Sequence, residues 1–201
     1  MGKCELLQSW TYVVYSSRKE ERMKCSFNFK KDYTILDLEA TGLSTRTNEI
    51  IEVAALKIRD NKIVETYQSY VKPNQKIPPE IVELTGIDDT TVEHARTIQV
   101  VLDEVLDFIG NDPLMGHNIC FDISFLNSID PTKQIKNEEF YDTCMLAQVV
   151  LKNQKHYRLI DLARRFDIDS SNAHSALKDC YMTYGVYMSL IDYLKKQNVL
   201  L

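Results

Sequence analysis

The sequence has 201 residues, of which 44% are hydrophobic and 26% are charged, and this suits one globular domain or one domain with an extension. Its net charge of -5 argues against a protein that binds nucleic acid tightly and non-specifically through its phosphates. The five cysteines are scattered without a C-x-x-C motif, and no apolar run approaches the roughly 20 residues of a membrane span, so we expect a cytoplasmic protein with reduced thiols and no membrane partner.

The first 31 residues differ from the rest of the sequence. Trp10–Tyr15 (WTYVVY) is aromatic and β-branched, and it predicts a short strand. Ser17–Lys24 (SRKEERMK) is strongly charged and indicates either a helical turn or a solvated link. We therefore interpret residues 1–31 as an N-terminal extension of unknown fold, which packs on a domain of residues 32–201.

Three strands are predicted at the start of that domain. They are Tyr33–Leu38, Glu49–Ile58 and Ile63–Val71, and each is rich in apolar and β-branched residues. Asp60 and Asn61 lie between the second and third strands, where residues of this type favour a hairpin turn. These strands are predicted to form one side of a sheet.

The rest of the sequence alternates helices with short strands. Pro79 predicts the start of a short helix, and Thr97–Ile109 predicts an amphipathic helix that ends at Gly110. Short strands are predicted at Pro113–Gly116 and around Phe140. Helices are also predicted at residues 122–129, 143–151 and 159–166, followed by a last helix with the core stripe Leu177, Tyr181, Tyr184, Met188 and Ile191. This order predicts an α/β fold with a mixed central sheet flanked by helices.

Two acidic residues stand at the end of the first of these strands. Side chains alternate across a strand, so Asp37 and Glu39 are expected to project from the same face. Two close carboxylates repel each other unless a cation lies between them or one binds a proton, and paired oxygen ligands suit hard divalent ions. Gly42 then permits a tight turn and the close approach of a ligand. The alternative is a strand that ends in an ordinary polar turn.

The segment Gly116–Asp122 (GHNICFD) carries a third acid. Asp122 is expected in the first turn of a helix, near the carboxyl end of the preceding strand, where ligand sites of open α/β sheets gather. The alternative is an acid whose only effect is a favourable interaction with the helix dipole.

The segment Ala173–Asp179 (AHSALKD) adds a histidine and a fourth acid. Within one continuous helix, His174 and Asp179 would point about 140° apart. They can serve one site only if His174 lies on the loop or first turn, and Ser175 as a helix N-cap fits this arrangement. The alternative is a solvated histidine beside a surface acid.

The motifs DLEATG, HNICFD and HSALKD follow one another in the order of the three exonuclease motifs of the DEDDh family. The sequence resembles the epsilon-type proofreading exonucleases of bacterial DNA polymerase III over residues 31–194, including EIIEVAALKI, LTGI, YDT and LARRFDI. The resemblance implies a ribonuclease H-like exonuclease fold. It also implies a metal-dependent 3′–5′ exonuclease that hydrolyses DNA from a free 3′ end to nucleoside 5′-monophosphates, in proofreading or repair.

The resemblance also assigns roles by position. It implies that Asp37, Glu39, Asp122 and Asp179 bind two divalent ions, Mg²⁺ or Mn²⁺, and that His174 joins them as a catalytic residue. It implies substrate contacts from Ala40, Thr41, Gly42, Leu43, His117 and Asn118. Phe121 and Phe125 could contact a base, whereas their helical spacing favours a place in the core.

Two other functions remain open from the sequence alone. One is an RNA-trimming 3′–5′ exoribonuclease of the same fold, which would differ by a contact to the 2′-hydroxyl group. The other is a non-catalytic module that binds nucleic-acid ends, although the complete set of acids argues against it. The resemblance also suggests a DNA polymerase as partner.

Overall fold

A computed structural model describes residues 12–14, 23–25, 29–130, 135, 139–152, 154–171 and 173–197. Its strands in chain order are β1 Tyr12–Val14, β2 Met23–Cys25, β3 Tyr33–Ala40, β4 Ile50–Arg59, β5 Lys62–Tyr70, β6 Leu114–Gly116 and β7 Glu139–Asp142. Its helices are α1 Pro79–Thr85, α2 Ile98–Ile109, α3 Cys120–Ile129, α4 Thr143–Val150, α5 Leu159–Arg165 and α6 Ala176–Lys196. The predicted α/β class and most element positions are confirmed.

The strands form one sheet in the order β1-β2-β7-β6-β3-β4-β5. β3, β4 and β5 are antiparallel neighbours, whereas β6 and β7 run parallel to β3 and to each other, so the sheet is mixed as predicted. Asp60 and Asn61 form the turn between β4 and β5, with φ angles of 47° and 58°. Positive φ at both central residues is the requirement of a type I′ hairpin turn, and Asp and Asn tolerate it.

Part of the N-terminal extension adds to the sheet. The predicted strand at Trp10–Tyr15 is present at Tyr12–Val14, where β1 pairs antiparallel with β2, and β2 pairs parallel with β7. The prediction of a helical turn or link was wrong at Met23 and Lys24, because pairing with two neighbouring strands overrides their polar local composition. Residues 17–22 lie outside the described part. The domain boundary at residue 31 stays a prediction.

The alternation of β3 divides its side chains between two hydrophobic clusters. Tyr33 and Ile35 pack in the cluster that contains the buried face of α6, whereas Leu36 and Leu38 pack in the cluster that contains α2 and α3. Helices therefore cover both faces of the sheet. Since Asp37 continues the odd-numbered series, the predicted acids lie on the face covered by α6.

The core face of α6 differs from the predicted stripe. Tyr181 is 41% exposed, and Leu177, Tyr184 and Met188 are only half-buried, whereas Ile191 is buried as predicted. The residues that face the sheet include the smaller side chains of Ala176, Cys180 and Thr183. Small residues at these positions let the start of the helix approach the sheet closely, and the buried face continues with Val186, Tyr187 and Leu190. In the described part of the chain, no helix combines the length and apolarity that a membrane span requires.

Candidate active site

Three of the predicted acids meet between β3 and the first turn of α6. Asp37 and Glu39 leave β3 on the same face, and Asp179 is the fourth residue of α6. One carboxylate oxygen from each residue lies within 4.8 Å of the others. Carboxylate oxygens at this separation can share a hard divalent cation, so the donor set fits such an ion.

Asp122 reaches the same strand from the opposite helix layer. It lies buried in the first turn of α3, and its Oδ1 accepts a hydrogen bond of 3.0 Å from the Leu38 N–H. The donor is free for this bond because β6 pairs with β3 only at Thr34 and Ile35. Asp122 is thus fixed beside β3 between the two acids of the first motif, although it is outside the cluster formed by the other three oxygens.

The electrostatics of the site favour a cation. Burial raises the pKa of Asp37 well above its usual range, and repulsion from Asp122 and Asp179 raises it further. Burial, followed by repulsion from Asp179 and Glu52, raises the pKa of Glu39 to about 8. Burial also raises the pKa values of Asp122 and Asp179. A divalent ion would relieve this repulsion and favour the ionised carboxylates.

His174 lies on the loop directly before α6, as its spacing from Asp179 predicted. Its side chain is exposed, its φ of 71° is left-handed, and its backbone N–H donates to Asp179 Oδ1 at 3.2 Å. Ser175 is the N-cap residue of α6, but its side chain makes no capping hydrogen bond. The backbone, rather than a serine cap, therefore links the predicted histidine to the predicted acid.

The predicted end-holding segment begins with two buried residues, Ala40 and Thr41. The Thr41 N–H donates to the Glu49 carbonyl at 2.8 Å, and Thr41 Oγ1 accepts from the Glu49 N–H at 2.9 Å. The Glu49 carboxylate in turn accepts from the backbone N–H groups of Asn74 and Gln75. The start of the segment is therefore bound to the loop that follows β5.

Asn48 braces the turn at Gly42. Its Nδ2 donates to the Thr41 carbonyl at 3.2 Å, and its Oδ1 accepts from the Ser44 N–H at 3.0 Å. A Cβ at Gly42 would lie 2.7 Å from Asn48 Nδ2, so the bonded amide occupies the space of any larger side chain. The turn leaves Leu43 with 87% of its surface exposed.

His117 and Asn118 lie in the turn between β6 and α3. The His117 ring contacts Thr143 Oγ1 through Nδ1 and the Tyr157 carbonyl through Nε2, both at 2.9 Å. Burial lowers the pKa of His117. Asn118 is exposed with a φ of 63°, and its N–H donates to Asp142 Oδ1 at 3.3 Å. A substrate contact from the His117 ring stays a prediction and would replace one of these two bonds.

The two phenylalanines of α3 contact each other, with ring centroids 4.8 Å apart. Phe125 is only 2% exposed and belongs to the core, which favours the core interpretation for this residue. Phe121 is half-buried at the edge of the same cluster.

Sequence reasoning missed one acid of the site. Glu52 is fully buried on β4, directly opposite Glu39 in the strand pairing. A charged residue within the apolar run IIEVAAL was the available signal, because such residues are rarely buried without a partner.

The sequence profile of the exonuclease family (RNase_T) matches residues 34–187. Among curated relatives, the PolC-type DNA polymerase III of Clostridium perfringens is 35% identical over 194 residues, which are 96% of this chain and 13% of that protein. The chain thus spans only a small fraction of that relative. The DNA polymerase III subunit epsilon of Aquifex aeolicus is 33% identical over 166 residues, which are 81% of each protein.

Solved structures share the fold. E. coli Exonuclease I in complex with a dA16 oligonucleotide superposes with a TM-score of 0.67 at 20% identity, over 83% of this chain and 43% of that chain. The predicted ribonuclease H-like exonuclease fold is confirmed.

Proposed function

The chain belongs to the exonuclease family, and we propose that it hydrolyses DNA from a free 3′ end and releases nucleoside 5′-monophosphates, in proofreading or repair. The observation that carries this proposal is the meeting of Asp37, Glu39 and Asp179, whose oxygens lie within 4.8 Å of one another. Buried carboxylates repel strongly, so a protein that gathers them around one point is suited to binding cations there.

The proposed cofactor is a pair of divalent ions, Mg²⁺ or Mn²⁺, held by Asp37, Glu39, Asp122 and Asp179. Ions bound there would supply positive charge at the scissile phosphate and lower the pKa of water. The four carboxylates fix the place of that charge, because two lie on one strand and the other two lie in the first turns of α3 and α6.

His174 is proposed as the general base. Its exposed place on the loop before α6 lets its imidazole meet solvent and substrate. It would take the proton of the attacking water as the oxygen bonds to phosphorus. The bond from phosphorus to the 3′-oxygen of the preceding nucleotide then breaks, and that oxygen gains a proton. The exposed loop supports this role, since a general base needs contact with both the water and the solvent.

The end-holding role is proposed for Ala40–Leu43, with His117 and Asn118 nearby. Thr41 is anchored by two hydrogen bonds to Glu49, and Leu43 follows in the chain with most of its surface exposed. An exposed leucine on a braced turn can pack against a terminal base without a large loss of conformational entropy. This favours a substrate with a free 3′ end over an internal stretch of chain.

The similarity to a PolC-type DNA polymerase III and to a DNA polymerase III subunit epsilon supports DNA as substrate and a DNA polymerase as partner. A cytoplasmic location is part of the same proposal. The described thiols of Cys120, Cys144 and Cys180 are free of disulfides, as reduced cysteines require.

The proposed function is tested by identifying the products and the strand end from which hydrolysis starts. We expect wild-type protein with Mg²⁺ or Mn²⁺ to release nucleoside 5′-monophosphates from 3′-labelled DNA more rapidly than from RNA, with single- and double-stranded forms compared. A 3′-phosphate should slow the reaction strongly, because it adds charge and bulk where a hydroxyl fits. Faster release from RNA would favour the exoribonuclease alternative, and cleavage of circular single strands would show an endonuclease.

A further inference from the structure

Glu52 is an acidic side chain within the core of the sheet that the proposed chemistry does not use. It is fully buried, and its strand pairing places it opposite Glu39. Both of its oxygens are engaged: Oε2 accepts from the Ala176 N–H at 3.0 Å, and Oε1 accepts from Gln68 Nε2 at 2.7 Å. Glu52 is also outside the group of three acids, Asp37, Glu39 and Asp179, whose oxygens lie within 4.8 Å of one another.

The hydrogen bond between Glu52 and the Ala176 N–H stabilises the start of α6. Ala176 is the first residue of that helix, and Ser175 before it makes no side-chain capping bond. The first N–H groups of a helix have no partner within the helix, and a buried one without a partner is strongly unfavourable. Glu52 therefore caps α6 from a strand 124 residues earlier in the chain.

The same bond restrains His174, two residues before Ala176. His174 has a left-handed φ of 71°, a conformation that is strained for a residue with a Cβ. Such a conformation persists when its surroundings hold it on both sides. Here the His174 N–H is bonded to Asp179 Oδ1, and the helix start that follows is bonded to Glu52.

We propose that Glu52 is a positioning residue, which holds the His174 loop and the first turn of α6 against the strands that carry Asp37 and Glu39; this rests on the function proposed above. It links β4, which pairs with β3, directly to the helix that carries Asp179. Through this link, the histidine and the third-motif acid keep a fixed place relative to the first-motif acids.

Two variants of Glu52 separate the reach of the side chain from its charge. Glu52→Gln keeps the length and one oxygen for the Ala176 N–H, and Gln68 can rotate its amide to accept from the new amino group. Glu52→Asp keeps the carboxylate, but it is one methylene shorter and reaches the N–H only if α6 moves. Gln68→Ala is the matched control, because Gln68 is exposed and its truncation removes the bond to Glu52 Oε1 while the bond to the Ala176 N–H remains.

We expect Glu52→Asp to lower kcat about 10–100-fold, the usual effect of removing an outer support of a metal site, while KM for DNA is unchanged. The amide hydrogen of Ala176 should exchange faster in this variant. Glu52→Gln and Gln68→Ala should stay close to wild type in both measurements. Glu52→Gln and Gln68→Ala should also bind Mn²⁺ with wild-type affinity in a calorimetric titration.

The opposite ranking of the two Glu52 variants in kcat would overturn the proposal. If Glu52→Gln is slower than Glu52→Asp, or loses Mn²⁺ affinity, the charge matters and Glu52 is a metal ligand. If both variants match wild type in rate and in exchange at Ala176, the bond does not position the loop. Exchange is measured without turnover, so an inactive wild-type protein would refute the proposed function and leave this test intact.

Discussion

At the scale of the residue, the site is defined by carboxylates whose surroundings oppose their charge. Asp37 and Glu39 have raised pKa values because they are buried and face other acids. The sequence could predict this pair, since alternation along a strand places residues i and i+2 together. It could not predict the Glu52 bond to Ala176, because no local pattern specifies a contact between residues so distant in the chain.

Proton linkage follows from the raised pKa of Glu39. The pKa of Glu39 is about 8 in the folded protein, above the usual value of 4.5. Between these two pH values, the metal-free folded protein therefore keeps a proton on Glu39 that the unfolded chain has released. The stability of the metal-free protein should therefore fall as pH rises from about 5 to 8. Mn²⁺ favours the ionised form, so it should raise the melting temperature more at pH 8 than at pH 6.

Thermal unfolding with and without Mn²⁺ at both pH values checks this linkage, and Asp37→Asn serves as a variant with a weakened site. Equal shifts of the melting temperature at pH 6 and pH 8 would contradict the assignment of the cluster as a cation site coupled to protons.

His174→Ala tests the proposed general base. Positioned proton transfer contributes typically 10²–10⁴-fold, so we expect a loss of about that size in kcat. We also expect the pH profile of activity to differ between the variant and wild type, because the variant has no imidazole to accept the proton.

His94→Ala is the matched control, because the His94 side chain is 94% exposed and its ion pair is with Glu93 on the loop after α1. A normal rate and an unchanged pH profile in His174→Ala would make His174 an ordinary solvated residue.

At the scale of the element, hydrophobic spacing predicted α2 well and α6 less well. The buried residues of α2 are Val101, Leu102, Val105 and Ile109, which follow the helical spacing expected of the predicted amphipathic helix, whereas Ile98 at its start is only half-buried. In α6, the predicted stripe includes Tyr181, which is exposed, whereas Cys180 beside it is buried. Spacing alone cannot show which of two adjacent stripes meets the sheet, because that depends on how closely the backbones approach.

Leu102→Ala tests the packing of α2. Leu102 is 1% exposed in the cluster between α2 and the sheet, so its truncation should lower the free energy of unfolding by about 2–5 kcal/mol. Val100→Ala on the same helix is the control, because Val100 is 46% exposed and should change stability by about 0.5 kcal/mol or less. Urea denaturation measures the free energy of unfolding of both variants. Equal losses of stability would show that the core face of α2 is assigned incorrectly.

At the scale of the whole molecule, the sheet order brings the motifs together. β3 lies between β6 and β4, so α3 after β6 and α6 over β4 both direct their first turns to β3. The motif order in the sequence predicted this convergence through the family resemblance. The pairing of β2 with β7 was not predicted, since Met23 and Lys24 carry no local signal for a strand.

Removal of residues 1–31 tests the predicted domain boundary. Every motif lies after residue 31, so we expect the shortened chain to retain hydrolysis. Its stability should fall, because β2 no longer pairs with β7 and the Tyr187 hydroxyl loses its bond to the Lys30 carbonyl. Circular dichroism and the nuclease assay are compared with the full chain. A folded but inactive product would show that the extension contributes to the active site.

The most direct test of the central claim is hydrolysis of 3′-labelled single-stranded DNA by wild-type protein and Asp37→Asn, each with Mg²⁺ and with excess chelator. Asn keeps the shape of Asp37 but weakens its hold on a cation, so the variant should fold normally and lose nearly all activity. Wild-type protein should release nucleoside 5′-monophosphates with Mg²⁺ and stop in chelator. Undiminished release by Asp37→Asn, or by wild-type protein in chelator, would contradict the account.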